Sequence, residues 1–106
     1  MVIKINPLSV NKCWAGRRFK TPDYKSYERE VLLKLKPMVI PDGKLKLSIV
    51  FGFSSKLKDI DNPLKPFIDI LQKYYGFNDR DIFKLVIEKK IVKKDSDYIN
   101  FKITTL

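Results

Sequence analysis

The sequence predicts an α/β (α+β) fold: a small mixed β-sheet with two helices packed on it, in the order β-α-β-α-β-β. Three observations predict it. Two segments open with a capping residue followed by proline, Thr21-Pro22 and Asn62-Pro63, the signature of a helix start. Two others, Lys44 to Phe53 and Tyr98 to Ile103, alternate apolar and polar residues with the period of a strand. The length, 106 residues of which 44% are hydrophobic, supports one domain over residues 1–106. A domain of this size buries only about two-thirds of its unfolded surface, so a second subunit would help to stabilise it.

Taken in order, Val2 to Ile5 is short, apolar and alternating, and reads as an opening strand. Asn6 to Lys20 holds a proline, a glycine, two asparagines and the basic cluster Arg17-Arg18-Phe19-Lys20, and reads as a long loop. At Thr21-Pro22-Asp23 a hydroxyl cap, a proline at the first helical position and an acid at the positive end of the dipole start the first helix. Tyr24, Tyr27, Val31 and Leu35 carry it to about Lys36, before Pro37 stops it. Pro41-Asp42-Gly43 is a turn. The next strand points Leu45, Leu47, Ile49, Phe51 and Phe53 to one face.

Ser54 to Ile60 then links to the second helix, for which Asn62 is the predicted cap. Leu64, Phe67, Ile68, Leu71 and Tyr75 form its apolar face, Pro66 is tolerated within the first turn, and Gly76 stops it. Phe77 to Asp81 is a short polar loop, Ile82 to Val92 a long strand, Lys93 to Ser96 a turn, and the chain closes on the Tyr98 strand.

Composition narrows the chemistry. Twenty-two Lys and Arg against 12 Asp and Glu give a net charge of +10, which favours an anionic partner, nucleic acid before a membrane surface. No apolar run approaches membrane-spanning length and no signal segment is evident, so a cytoplasmic, DNA-associated location is predicted. The single cysteine, Cys13, forms no intramolecular disulfide. There is no histidine, which removes imidazole bases and His-ligated zinc.

Against this basic background, Lys58-Asp59-Ile60-Asp61-Asn62-Pro63-Leu64-Lys65 concentrates two carboxylates among lysines. Bare acids repel a phosphate, and a divalent cation between them removes the conflict. In extended chain, side chains two apart project to one side, so Asp59 and Asp61 converge while Ile60 turns into the core. Carboxylate-only ligation suits Mg²⁺ or Mn²⁺. Lys65, four residues after Asp61, is a candidate to stabilise the phosphate in the transition state or to help position the nucleophilic water. The same residues also serve as helix caps and structural ion pairs, so the spacing alone fits both readings.

The wider pattern adds to this. Asp59 to Leu71 resembles the D-x-D-N-x-x-K-x-x-x-D-x-L signature of the RusA family of Holliday junction resolvases. Gly76-Phe77-Asn78-Asp79-Arg80-Asp81-Ile82 is similar to that family's glycine followed by D-D-x-Q and a strand. Asn6 to Lys12 is similar to its P-P-S-x-N loop, and Lys20 to Val31 to its first helix. The resemblance implies a metal-dependent endodeoxyribonuclease, a homodimer, cutting four-way DNA junctions in recombination and repair. It places metal ligands on Asp59, Asp61 and Asp79 and an essential lysine on Lys65. Asn78 replaces the first acid of the D-D pair and Asp81 stands where glutamine is usual, so Asp81 is the alternative third acid. Asp69 also matches, and equally pairs with Lys65 or Lys73 along a helix face.

Arg17, Arg18 and Lys20, interleaved with Trp14 and Phe19, are candidates for contacts to DNA phosphates, with Lys56 and Lys58 as further non-specific contacts. Glu88-Lys89-Lys90 imitates part of another nuclease pattern, but a strand with Val86, Glu88 and Lys90 on one face accounts for it. The competing readings are a basic DNA-binding module without catalysis and a nuclease acting on other branched DNA or on RNA.

Overall fold

The computed structural model describes residues 1–106. Its regular elements are β1 (Val2–Lys4), β2 (Trp14–Ala15), β3 (Phe19–Lys20), α1 (Pro22–Lys34), β4 (Leu45–Phe53), α2 (Leu64–Tyr75), β5 (Ile82–Ile91) and β6 (Tyr98–Thr105). The main sheet runs β1-β6-β4-β5. It is mixed: β4 pairs parallel with β5, and β6 lies antiparallel to both β4 and β1. The parallel pair needs a crossover, and α2 supplies it.

Alternation in β4 does what the pattern predicts. Leu45, Leu47, Ile49, Phe51 and Phe53 are all buried, and the last four share one core with Tyr24, Tyr27 and Val31 of α1 and Phe67, Ile70 and Leu71 of α2. Ile3, Ile99 and Phe101 complete this core from β1 and β6. Both helices thus cover one face, leaving Lys46, Lys84, Lys90 and Lys102 outside it. Residue Gly52 is where Tyr98 of the paired strand lies against the backbone, so closely that a β-carbon there would overlap the ring.

Helix α1 starts as its sequence dictates. The Thr21 hydroxyl oxygen accepts from the Tyr24 N–H at 3.1 Å, and the hydroxyl donates to the Lys12 carbonyl at 2.6 Å. Its far end is capped from α2: the Tyr74 and Tyr75 hydroxyls donate to the Leu35 and Lys36 carbonyls. The two tyrosine rings meet edge to face at 4.8 Å.

Three predictions need correction. The segment Asn6 to Lys20 is not one loop: Val10–Lys12 is a 3₁₀ turn, and β2 pairs with β3 in a two-stranded ribbon whose tip carries Arg17 and Arg18. Two-residue strands are too short to show a period. The 77–81 loop contains a second 3₁₀ turn, Asp79–Asp81. The last strand runs to Thr105, because pairing with β4 continues past Ile103 to the Leu45–Thr105 pair.

Candidate active site

The chain does not run extended from β4 into α2. It bends at Ile60 and Asp61, so Ile60, predicted to enter the core, is 41% exposed. Backbone contacts set this path. The Val10 N–H donates to the Asn62 carbonyl at 2.8 Å, and the Leu64 N–H to the Asp61 carbonyl at 3.1 Å. From β5, the Lys89 ammonium donates to the Lys58 carbonyl at 2.6 Å and the Lys56 carbonyl at 3.3 Å.

Asn62 is not the helix cap. Pro63 occupies the cap position with no side-chain bond, and the Leu64 N–H that an Asn62 cap would receive is already taken by Asp61. The Asn62 amide instead donates to Asp59 Oδ2 at 3.2 Å. The Asp61 side chain is exposed and forms no ion pair.

On α2, Lys65, Asp69 and Gln72 share a face at helical spacing. Lys65 Nζ donates to Asp69 Oδ1 at 2.9 Å and lies 3.8 Å from Asp79 Oδ2. The hydrogen bond to Asp69 outweighs partial burial and, with the charges of Asp69 and Asp79, raises the Lys65 ammonium above its ordinary range. Asp79 reaches this place because the chain turns back after α2. Gly76 adopts φ 77°, a left-handed conformation that suits glycine, and ends the helix. The Asp79 N–H then donates to Gln72 Oε1 at 2.9 Å, and the Asn78 side chain caps the 3₁₀ turn through the Arg80 N–H. Asp79, rather than Asp81, therefore meets Lys65. Asp81 is half-buried on the far end of the turn.

The candidate ligands are all carboxylates, a donor set whose chemistry fits a hard divalent cation. They stand as an open set: no three acidic or thiol side chains are grouped closely enough to hold an ion. Asp59 is engaged by Asn62 and Asp79 by Lys65.

Of the basic candidates, Arg17 and Arg18 are exposed at the ribbon tip beside Phe19, and Lys56 and Lys58 are exposed next to Asp59. Lys20 is differently placed. It pairs with Glu28 at 3.1 Å and lies over the Tyr24 ring. Burial alone would raise the Glu28 carboxyl, but hydrogen bonds from Lys20 and Lys73 prevail and hold it below its ordinary value of 4.5. Trp14 sits edge-on to Tyr24 at 5.7 Å. Cys13 is fully buried, which pushes its thiol up and leaves it unreactive.

Two positioning residues escape a reading of the sequence. Lys89 holds the Asp59 loop from a strand 31 residues away, and no local signal marks it. Gln72 steers Asp79, and its helical register with Lys65 and Asp69 was the available clue.

No helix is long and apolar enough to cross a membrane. The family model described as Endodeoxyribonuclease RusA matches residues 5–103. No curated protein matches the chain.

Proposed function

The chain belongs to the RusA endodeoxyribonuclease family, and from that membership we propose that it resolves four-way DNA junctions by hydrolysing one phosphodiester per subunit with the help of Mg²⁺ or Mn²⁺. The family acts as Holliday junction resolvases, on branched DNA. The observation that supports the finer reading is the return of Asp79, after α2, to Lys65 in the first turn of that helix, four residues on from Asp61.

Asp59, Asp61 and Asp79 are the residues that would hold the cation. When bound, such an ion activates water and neutralises charge on the phosphate. The remaining work falls to the chain's own groups. Lys65 keeps a positive charge beside the acids and supports the charge that develops on the phosphate oxygens. Asp69 holds that ammonium in place from one turn further along the helix. Lys65 and a cation compete for Asp79, and the 3.8 Å contact is the looser of the lysine's two. Arg17 and Arg18 on the ribbon and Lys56 and Lys58 on the loop supply phosphate contacts that orient the junction. Lys20, tied to Glu28, contributes mainly by fixing the ribbon.

A homodimer suits a two-fold symmetric junction. Strand β5 supports it: its outer edge is unpaired, and Phe83, Leu85, Val86 and Ile91 are exposed along it. The site of action is then DNA in the cytoplasm.

The test is a panel of substrates with Mg²⁺ or with a chelator. Paired nicks near the exchange point of a four-way junction, lost with the chelator, support the proposal. Tight junction binding without nicks would reduce the chain to a binding module. Equal cutting of linear duplex or RNA would leave a nuclease without junction specificity.

A further inference from the structure

A cavity of about 570 Å³ lies between the Ile5–Lys12 segment, α1 and the loop after β4. Asp59 and Asn62 form part of its wall, so it is continuous with the candidate active site. Its volume is that of a small-molecule pocket, with room for one flat heteroaromatic ring and its sugar.

The lining mixes charged and neutral polar groups. Asp23, Glu30 and Asp59 bring carboxylates to it, acceptors for the amino groups of a base, while the amides and hydroxyl of Asn6, Asn11, Asn62 and Ser26 provide both donors and acceptors, the groups that read the edge of a base. Lys12 and Lys58 add positive charge for flanking phosphates. Beneath them lies Tyr27. Its ring is packed in the core at 6% exposure, while its hydroxyl is buried beside the Leu8 backbone without a hydrogen bond of good geometry. A buried hydroxyl so poorly partnered is destabilising, and a ligand that reached it would offset that cost. Burial raises the phenol well above its ordinary range, so it stays a donor.

Leu57 supplies the complementary piece. It lines the same cavity, yet 91% of it is exposed. Apolar side chains held out in this way act as wedges when they enter a gap between stacked bases.

We infer that this cavity receives one extrahelical nucleobase of the bound DNA, with Leu57 filling the space the base leaves in the stack. The inference rests on the junction-cutting reading of the adjacent acids. Base extrusion costs least where stacking is already interrupted, as it is at a branch point. The amides, hydroxyl and carboxylates of the lining then make the pocket a determinant of which nucleotide is accepted next to the cut.

The experiment places 2-aminopurine, whose fluorescence rises on unstacking, at each nucleotide flanking the exchange point of a four-way junction. It is run without divalent cation, so that no cutting intervenes, and binding is followed separately by the anisotropy of a dye on one arm. We expect a several-fold rise at one position on binding. Ser26→Trp, a change at an exposed helix position that fills the cavity, should abolish the rise while the junction Kd moves less than about threefold. Tyr27→Phe keeps the ring packed and removes only the hydroxyl, and should weaken discrimination among bases at that position. Bound junction with no rise at any position, or a rise that survives Ser26→Trp, overturns the inference. Absence of binding in the anisotropy channel overturns the junction reading itself, and the pocket with it.

Discussion

Lys65 faces two carboxylates at once, and its ammonium is raised above its ordinary value of 10.5 chiefly by the hydrogen bond to Asp69. It therefore carries its charge across the whole range in which DNA can be assayed. Lys65→Met should lower the cleavage rate by about 10²–10³-fold, the scale for removing one preorganised electrostatic group, while junction affinity changes little. Equal loss of binding and cleavage would instead make Lys65 one phosphate contact among many. The pairing of Lys65 with Asp69 was legible, because an i,i+4 spacing on a helix fixes it in advance. The approach of Asp79 was not, since it depends on Gly76 turning the chain and on Gln72 catching the Asp79 N–H. Asn62 and Ile60 were misread for one reason: the segment bends where an extended path was assumed.

At the scale of elements, the strands and helices were readable wherever a period repeats several times, as in β4 and α2, and unreadable in the two-residue strands of the ribbon. Two contacts between elements carry predictions. Lys89 reaches from β5 to the carbonyls of Lys56 and Lys58, fixing the loop that bears Asp59. Lys89→Met should slow cleavage about 10-fold, the lower end for groups that orient ligands, with Lys89→Arg restoring part of the rate. Unchanged kinetics in both variants would show the loop to be fixed by its other contacts. Glu28 joins the ribbon, α1 and α2 through Lys20 and Lys73. Its carboxyl is depressed, so its contribution to stability is present above about pH 4.5 and is lost as the pH falls through the folded-state value. Its partners are partly exposed, which limits the contribution to about 1 kcal/mol. Urea unfolding at pH 7 and at pH 3 should show Glu28→Gln less stable than the parent at pH 7, with a smaller deficit at pH 3. A deficit equal at both pH values would point to packing rather than charge.

For the whole molecule, the sheet leaves β5 as a ten-residue edge with exposed Phe83, Leu85, Val86 and Ile91. Unprotected edges of this length are sites of association. Sedimentation should find a dimer at micromolar concentration and a monomer for the double variant Leu85→Lys, Val86→Lys. A monomeric parent would mean that two copies meet only on DNA. The charge of +10 draws the chain to any DNA, so binding alone says little about its chemistry. The acids at the mouth of α2 separate a nuclease from a basic binding module, and Asp61, exposed and free of ion pairs, is the cleanest place to ask. The direct measurement is junction binding and junction cleavage by Asp61→Asn beside the parent protein, in Mg²⁺. The account predicts that the variant binds as tightly as the parent and makes no paired nicks. Undiminished cleavage by Asp61→Asn would contradict it.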